Sequence, residues 1–360
     1  MIPVVIPSYE PGDALIDYCR ELKAAGAEKI LVVDDGSGAA YCRIFDAVRQ
    51  IDGCTVYTHP VNMGKGRALK SAFTWLFEHE PSVLGCVTAD SDGQHLVRDV
   101  IRCIRAFEEH PDSLVLGVRD FSDPDILPIR RLGNRILVRG YRVFRNIRLQ
   151  DTQTGLRVYP ASYMKLCLGV KGERYDFENR ALIAAFEQGV PVVEQPIKTV
   201  YAPKEDYVSH YRIVRDNAII YMIVMGEAIR YALASFASFL LDILLFRLLL
   251  PVLEPVTGVW YIFTATLAAR MVSSVFNYLV NYKLVFRSKA SVLRSATAYF
   301  LLAAVQLLVS GNLVTLIVQR LHCSETPVKI VVDAAIFIVN YCIQRKVFRR
   351  KSAEKGSPNC

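Results

Sequence analysis

The sequence predicts an α/β domain with a largely parallel sheet, followed by an all-α membrane domain of four helices. Three observations carry that prediction. Short β-branched runs alternate with amphipathic stretches through the N-terminal half; four long apolar stretches follow about Ile219; and the surplus of basic residues sits at the flanks of those stretches. Across 360 residues the chain is 52% hydrophobic and 22% charged, with a mean hydropathy of +0.25. That is too apolar for an ordinary soluble two-domain protein, and it excludes disorder and collagen-like architecture. Lys and Arg total 43 against 35 for Asp and Glu, a net +8 that reads as membrane topology rather than nucleic-acid binding. Nine cysteines scattered from Cys19 to Cys360 with no CxxC pair indicate neither a zinc ribbon nor a disulfide scaffold, and fit a reducing compartment.

The first β run is Pro3–Pro7, and Met1–Gly12 reads as strand and turn rather than signal peptide, since it lacks a basic n-region and is broken by Pro3, Pro7 and Pro11. An amphipathic stretch from Ala14 to Ala25 leads to a second run, Ile30–Val33; further runs follow at Thr55–Thr58, Val83–Thr88 and Leu114–Val118. In such sheets ligands sit at the carboxyl ends of the strands. Those ends carry Ser8-Tyr9-Glu10, Asp34-Asp35-Gly36-Ser37, Asn62-Met63-Gly64-Lys65-Gly66 and Asp90-Ser91-Asp92-Gly93-Gln94-His95. Each set alone could be an ordinary turn, but four in order are a stronger signal. Two carboxylates one residue apart, followed by an amide, suit a hard divalent cation, Mg²⁺ or Mn²⁺, able to bridge phosphate oxygens.

The apolar stretches, roughly Ile229–Leu253, Val259–Leu279, Ala298–Val318 and Val328–Ile343, are each near bilayer-spanning length. Lys283, Arg287, Lys289 and Arg294 between the second and third, and Arg345, Lys346, Arg349, Arg350 and Lys351 after the fourth, place both regions on the cytoplasmic side. The opposite turns carry only Glu254, and Arg320 balanced by Glu325. An even number of spans then puts the N-terminal domain in the cytoplasm of an integral, multi-pass inner-membrane protein. The expected domains are 1–210, a juxtamembrane segment 211–228 lying partly along the membrane surface, a four-span region 229–345 and a basic tail 346–360. Asp242, Arg270 and Asp333 lie inside apolar stretches, either for lipid-headgroup handling or as interhelical glue.

The ordered strand-end set resembles the family 2 glycosyltransferases of GT-A fold, within them the dolichol-phosphate mannose synthase and polyprenyl-phosphate glycosyltransferase branch. The resemblance rests on Ile6-Pro7-Ser8-Tyr9, Val32-Val33-Asp34-Asp35-Gly36-Ser37, the runs at 62–66 and 90–95, Gly117-Val118-Arg119 and Asp151-Thr152-Gln153-Thr154-Gly155-Leu156-Arg157. The membrane half resembles the GtrA-like four-helix domain through Asn277, Asn281, Lys283 and Phe286.

The resemblance implies that Pro7, Tyr9 and Asp35 contact the base and ribose of a nucleotide-sugar, with Glu10 and Lys65 in the same substrate-binding set. Asp90 would sit at the ribose and diphosphate, while Asp92 and Gln94 hold the metal. Arg119 and Arg131 would face the acceptor phosphate, and Glu178 would border the sugar pocket. The branch often has an acidic residue where this chain has Pro11, and a basic run before the membrane where it reads Val208-Ser209-His210-Tyr211-Arg212, so His210 and Arg212 stand in as phosphate-facing groups.

The reaction so implied moves a hexose, from UDP-glucose or GDP-mannose, to undecaprenyl or dolichyl phosphate with inversion, for cell-envelope glycan modification. Asp92, Arg119 and Arg131 would be catalytic. The expected partners are the nucleotide-sugar donor, the polyprenyl phosphate acceptor and the lipid bilayer, with no nucleic acid; homo-oligomerisation is left open. A processive polysaccharide synthase is the weaker enzyme reading, because Trp75 and Trp260 lie outside any Gln-x-x-Arg-Trp context. A lipid-linked sugar translocase or scaffold with a nucleotide-binding cytoplasmic domain is the non-enzymatic alternative.

Overall fold

The computed structural model describes residues 1–121, 126, 128–198, 213–288, 290–321 and 325–349. It divides into two units, Met1–Val224 and Met225–Cys360. Among the described residues the first unit is built on seven strands: β1 (Val4–Ser8), β2 (Ile30–Asp34), β3 (Cys54–Thr58), β4 (Gly85–Thr88), β5 (Leu114–Arg119), β6 (Arg157–Pro160) and β7 (Val192–Ile197). Their order is β3-β2-β1-β4-β6-β5-β7. β1 and β2 are buried at every position, as near-continuous apolar runs covered on both faces should be, whereas the edge strand β3 is not.

The helices that connect or flank these strands are α1 (Ala14–Ala24), α2 (Cys42–Arg49), α3 (Lys65–His79), α4 (Val97–Glu109), α5 (Pro128–Gly140), α6 (Ala161–Leu168) and α7 (Asp176–Gln188). α1 buries Leu15, Ile16, Tyr18, Cys19 and Leu22, the single stripe that a helical period places against a sheet. That stripe joins Val4, Ile6, Val32, Phe45, Val87, Phe107 and Val158 in one core.

Register makes the strand ends a shared edge. Ser8 pairs with Asp34, and Asp34 with Thr58, in parallel ladders. β1 and β4 are also parallel, with Val5 opposite Thr88. The sequence reading of a largely parallel sheet omitted β6, which runs antiparallel to both β4 and β5. This reversal has a positional consequence. With Thr88 opposite Arg157, the residues just before β6 reach the carboxyl end of β4, so Asp151–Gly155 arrives beside Asp90.

The second unit is helical. α8 (Ile213–Thr257) begins in the first unit and continues into the second, followed by α9 (Tyr261–Val280), α10 (Val292–Leu321) and α11 (Glu325–Arg349). The run Arg215–Val285 contains a window with a mean hydropathy of 2.2, only 6% buried, long and apolar enough to cross a membrane. Asn281 is fully buried and donates to Asn277 Oδ1 at 2.9 Å and to Gln344 Oε1 at 3.3 Å, while Gln344 donates to the Tyr231 hydroxyl at 3.2 Å. Phe286 stacks on Phe348 at 5.1 Å. Asp242 accepts from Ser273 Oγ at 2.9 Å and lies 3.5 Å from Arg270 Nη2, an interhelical pair between α8 and α9. The Asp333 side chain lies outside what is described.

Candidate active site

At the end of β1 the chain turns sharply. Glu10 has φ 51, a left-handed conformation uncommon for a residue with a side chain, and its N–H donates to Ser37 Oγ at 2.9 Å. Ser37 is itself fixed, donating its N–H to Asp34 Oδ1 at 2.9 Å. Tyr9 beside it is half-buried, and its hydrogen bond to Glu10 raises the phenol above its ordinary range. Pro7 is buried as the last residue but one of β1, and Ser8 Oγ, at its end, is buried without a hydrogen-bond partner.

Asp35 has a task that the sequence did not reveal. It is 3% exposed, and its carboxylate accepts from Met63 N–H at 2.9 Å, Gly64 N–H at 2.7 Å and His59 Nδ1 at 2.7 Å. It therefore shapes the loop that carries Lys65 rather than standing open at the cleft. Gly64 is required here, because at φ 98 an added Cβ would lie 2.5 Å from the Glu173 carbonyl.

Lys65 is the hub of the site. Its ammonium lies 2.6 Å from Asp90 Oδ1 and 3.1 Å from Glu178 Oε2. Burial alone would lower the Lys65 pKa, but the two carboxylates outweigh it and hold the group charged. Burial likewise pushes Asp90 up, yet Lys65, His95 and Arg119 bring it down to about 2. His95 is pushed below its ordinary value by burial, opposed by Asp90. Its neutral Nδ1 accepts the Asp90 N–H at 3.1 Å.

Asp92 behaves oppositely. Burial, followed by the Asp90 charge, raises its carboxyl to about 6. Gln94 leans on it, donating its N–H at 3.1 Å and its side-chain amide at 2.8 Å. Among the described residues no group of three or more His, Cys, Asp or Glu side chains could hold a metal alone. The donors here nevertheless fit a hard cation: a carboxylate short of positive charge, and an amide that presents Oε1 after a flip. A Mg²⁺-like ion ordinarily takes one or two protein oxygens and completes its shell with phosphate oxygens and water.

Arg119 and Arg131 sit differently. Arg119 makes a fork on Asp151, Nε to Oδ2 at 2.6 Å and Nη2 to Oδ1 at 3.1 Å, and rests over the Phe121 ring. Arg131, on α5, donates from Nη2 to the Ile126 carbonyl at 3.4 Å. Thus Lys65, Asp90, Glu178, Asp92 and Gln94 are gathered, Arg119 acts on Asp90 electrostatically, and Pro7, Tyr9 and Glu10 share the same sheet edge. His210 and Arg212 lie outside the described residues.

Three residues with no role assigned from sequence prove structural to the site. Asp151 is fully buried beneath Arg119. Arg157, 1% exposed, donates to the carbonyls of Thr152, Thr154 and Glu178, fastening the loop before β6 to α7. Gly155 lets Asp90 approach, since a Cβ there would lie 2.5 Å from Asp90 Oδ2. The run Asp151–Arg157 was visible in the sequence, but its placement depends on the strand reversal. Gly155→Ala is expected to displace Asp90 and weaken nucleotide binding by about tenfold or more, ~1.4 kcal/mol, in a calorimetric titration; unchanged affinity would show that Asp90 is not a ligand contact.

An α/β sheet with charged groups converging on its carboxyl edge has them where such sheets hold their ligands, and the chain continues into an apolar helical region long enough to cross a membrane. Residues 4–165 match the model of the glycosyl transferase family 2, and residues 230–348 match that of the GtrA/DPMS transmembrane domain. The chain therefore joins a family 2 glycosyl transferase domain to a GtrA/DPMS membrane domain, and it is a glycosyltransferase and a membrane protein. An uncharacterized protein of Methanocaldococcus jannaschii is 29% identical over 211 residues, 55% of this chain and 81% of that protein. The UDP-N-acetylglucosamine--dolichyl-phosphate N-acetylglucosaminyltransferase of Methanococcus voltae is 25% identical over 224 residues, 56% of this chain and 86% of that one. Among solved structures, glucosyl-3-phosphoglycerate synthase from Mycobacterium tuberculosis, in complex with Mn²⁺, UDP and glucosyl-3-phosphoglycerate, aligns with a TM-score of 0.47 at 16% identity, covering 63% of this chain and 79% of that one.

Proposed function

We propose that the protein transfers a hexose from a nucleotide-sugar to a polyprenyl phosphate, giving a lipid-phospho-sugar with inverted anomeric configuration. The observation that carries this reading is the Lys65, Asp90 and Glu178 cluster beside Asp92, with Arg119 held on Asp151 at the same sheet edge. The relative from Methanococcus voltae, named for a UDP-sugar donor and dolichyl phosphate acceptor, supports the substrate classes. UDP-glucose, GDP-mannose and UDP-N-acetylglucosamine are the donors to compare. The four-span reading, with the catalytic domain and the basic tail on the cytoplasmic side, rests on the flanking charges.

Asp92 and Gln94 would hold Mg²⁺ or Mn²⁺, whose positive charge stabilises a departing diphosphate. Lys65 neutralises Asp90 and Glu178 so that they order the donor's hydroxyls without repelling it. An acceptor phosphate monoester, with a second pKa near ~6, is largely dianionic at neutral pH and supplies its own nucleophile. The protein needs no general base for it. Arg119 and Arg131 orient that phosphate toward the anomeric carbon, a task for which a planar guanidinium fork is suited. One displacement inverts the centre.

The test is transfer by purified full-length protein with undecaprenyl phosphate, Mn²⁺ and a panel of labelled donors, followed by solvent extraction and NMR of the product. Label in the lipid phase with a β linkage from an α-linked donor is expected. An α-linked product rejects single displacement, and donor hydrolysis without lipid label rejects the acceptor. Arg119→Ala is expected to raise the acceptor KM by about 10- to 100-fold, the range of a lost charged hydrogen bond of ~1.5–3 kcal/mol. Donor affinity should change far less; equal losses in both would remove Arg119 from the acceptor side.

A further inference from the structure

A second concavity shares no lining residue with the carboxylate cluster. Its volume is about 260 Å³, and its walls include Tyr57 from β3 and Arg67, Ser71, Thr74, Trp75 and Glu78 from α3. Ser71 links this cavity to the strand ends. Its Oγ lies 2.9 Å from His59 Nε2, and His59 Nδ1 lies 2.7 Å from Asp35 Oδ1. His59 is 4% exposed. A carboxylate can only accept, so the Nδ1 proton points to Asp35. A ring carrying that one proton accepts at Nε2, and the Ser71 hydroxyl then spends its own proton there. Its oxygen is left as an acceptor on the cavity wall.

A ligand hydroxyl donating to Ser71 would extend a chain in which every proton points toward Asp35, and hydrogen bonds polarised in one direction strengthen one another. At the inner end Asp35 holds the N–H groups of Met63 and Gly64, the two residues immediately before Lys65. The rest of the wall narrows the ligand's chemistry. Tyr57, Trp75 and Leu168 offer apolar surface, Thr74 a further hydroxyl, and the two cations of the wall, Arg67 and Lys70, are both paired with Glu173, with Glu78 adding a carboxylate. That combination favours a neutral, hydroxyl-rich ring with an apolar face. The volume is below the ~300–1,000 Å³ of sites for drug-sized ligands, which limits the occupant to about one ring.

We propose that this cavity is a second ligand site, taking a neutral monosaccharide, and that its occupancy is transmitted to the donor loop through Ser71, His59 and Asp35. The coupling rests on the reading of the strand-end cluster as the donor site; the binding does not. By mass action, a sugar that favours one arrangement of the loop must change donor affinity by its differential affinity for that arrangement.

Trp75 is one of only two tryptophans, so Trp260→Phe leaves it as the sole indole reporter. Full-length Trp260→Phe protein in detergent at pH 8 is titrated with glucose, mannose and N-acetylglucosamine while Trp75 emission is followed. A saturable change with at least one sugar is expected, and its loss when Thr74→Arg fills the cavity. Saturating sugar should shift the affinity for UDP by about threefold or more, and Ser71→Ala should cancel the shift. Circular dichroism checks that each variant is folded. No saturable change with any of the three sugars, or a change that persists in Thr74→Arg, overturns the site. Sugar binding with unaltered UDP affinity overturns the coupling. If the protein binds no nucleotide at all, the proposed function fails while the emission titration still judges the cavity.

Discussion

Asp92→Ala is expected to reduce sugar transfer by about 10³-fold or more while leaving the protein folded and membrane-inserted. The Asp92 carboxyl is raised to about 6 by burial and by Asp90, which outweigh the Lys65 charge, and it has Gln94 as its hydrogen-bonding neighbour. Removing it takes away a carboxylate that folding leaves short of positive charge, so stability should hold or rise slightly. Catalysis should fall steeply, because a Lewis-acidic ion supplies several kcal/mol and each ~1.4 kcal/mol is about tenfold in rate. Transfer kinetics and Mn²⁺ binding by calorimetry on the same preparation give the two readouts. Retention of more than about a tenth of the activity, or unchanged Mn²⁺ binding, would remove Asp92 from the metal site.

Lys65→Met should show the opposite balance, with a large loss of stability that depends on pH. The ammonium serves Asp90 and Glu178 at once, and its deletion leaves two interior carboxylates facing each other. Breaking such a pair costs about 2–4 kcal/mol, below the fully buried case because the Asp90 side chain is 32% exposed. The sign against pH follows from the Asp90 shift. In the wild-type fold Asp90 is held at about 2 against an ordinary 3.8, so its contribution is present above pH ~4 and lost as the pH falls through ~2. In the variant the largest offsetting charge is gone, and burial together with the facing Glu178 carboxylate carries Asp90 above its ordinary value against His95 and Arg119 alone. Stability is then greater in acid and is lost as the pH rises through the new, higher value. Thermal unfolding should therefore show a larger deficit at pH 7.5 than at pH 5. Equal deficits at the two values would mean that Lys65 does not hold Asp90 ionised.

Much of the fold was legible because its signals are local. Ile30–Val33 is an apolar run with a polar end, and the structure makes it β2, Ile30–Asp34, with Asp34 and Asp35 at the carboxyl edge. The stretch from Ala14 to Ala25 carries its apolar residues at helical spacing, and α1 buries that stripe. Of the candidate site, Lys65, Asp90 and Asp92 could be named in advance because strand-end positions follow once the strands are found, whereas Glu178, on α7, came from the family resemblance alone. The reversed strand β6 could not. Arg157–Pro160 is four residues long, and nothing in so short a run fixes which neighbours it pairs with or in which direction.

The sequence by itself determined that an α/β domain precedes an apolar helical region, and that acidic and amide groups cluster at strand ends, since periodicity and composition are properties of neighbouring residues. Only the tertiary structure decided what those groups do to one another. Asp90 is brought down and Asp92 raised, though they stand two residues apart, because Lys65 arrives from another loop and makes its ion pair with the first, acting on the second only from a distance. Asp35 turns inward to His59 and the loop before Lys65, and Arg119 is held by an aspartate 32 residues away. Charge and hydrogen bonding act over a few ångströms of space, and sequence distance sets no limit on which groups share that space.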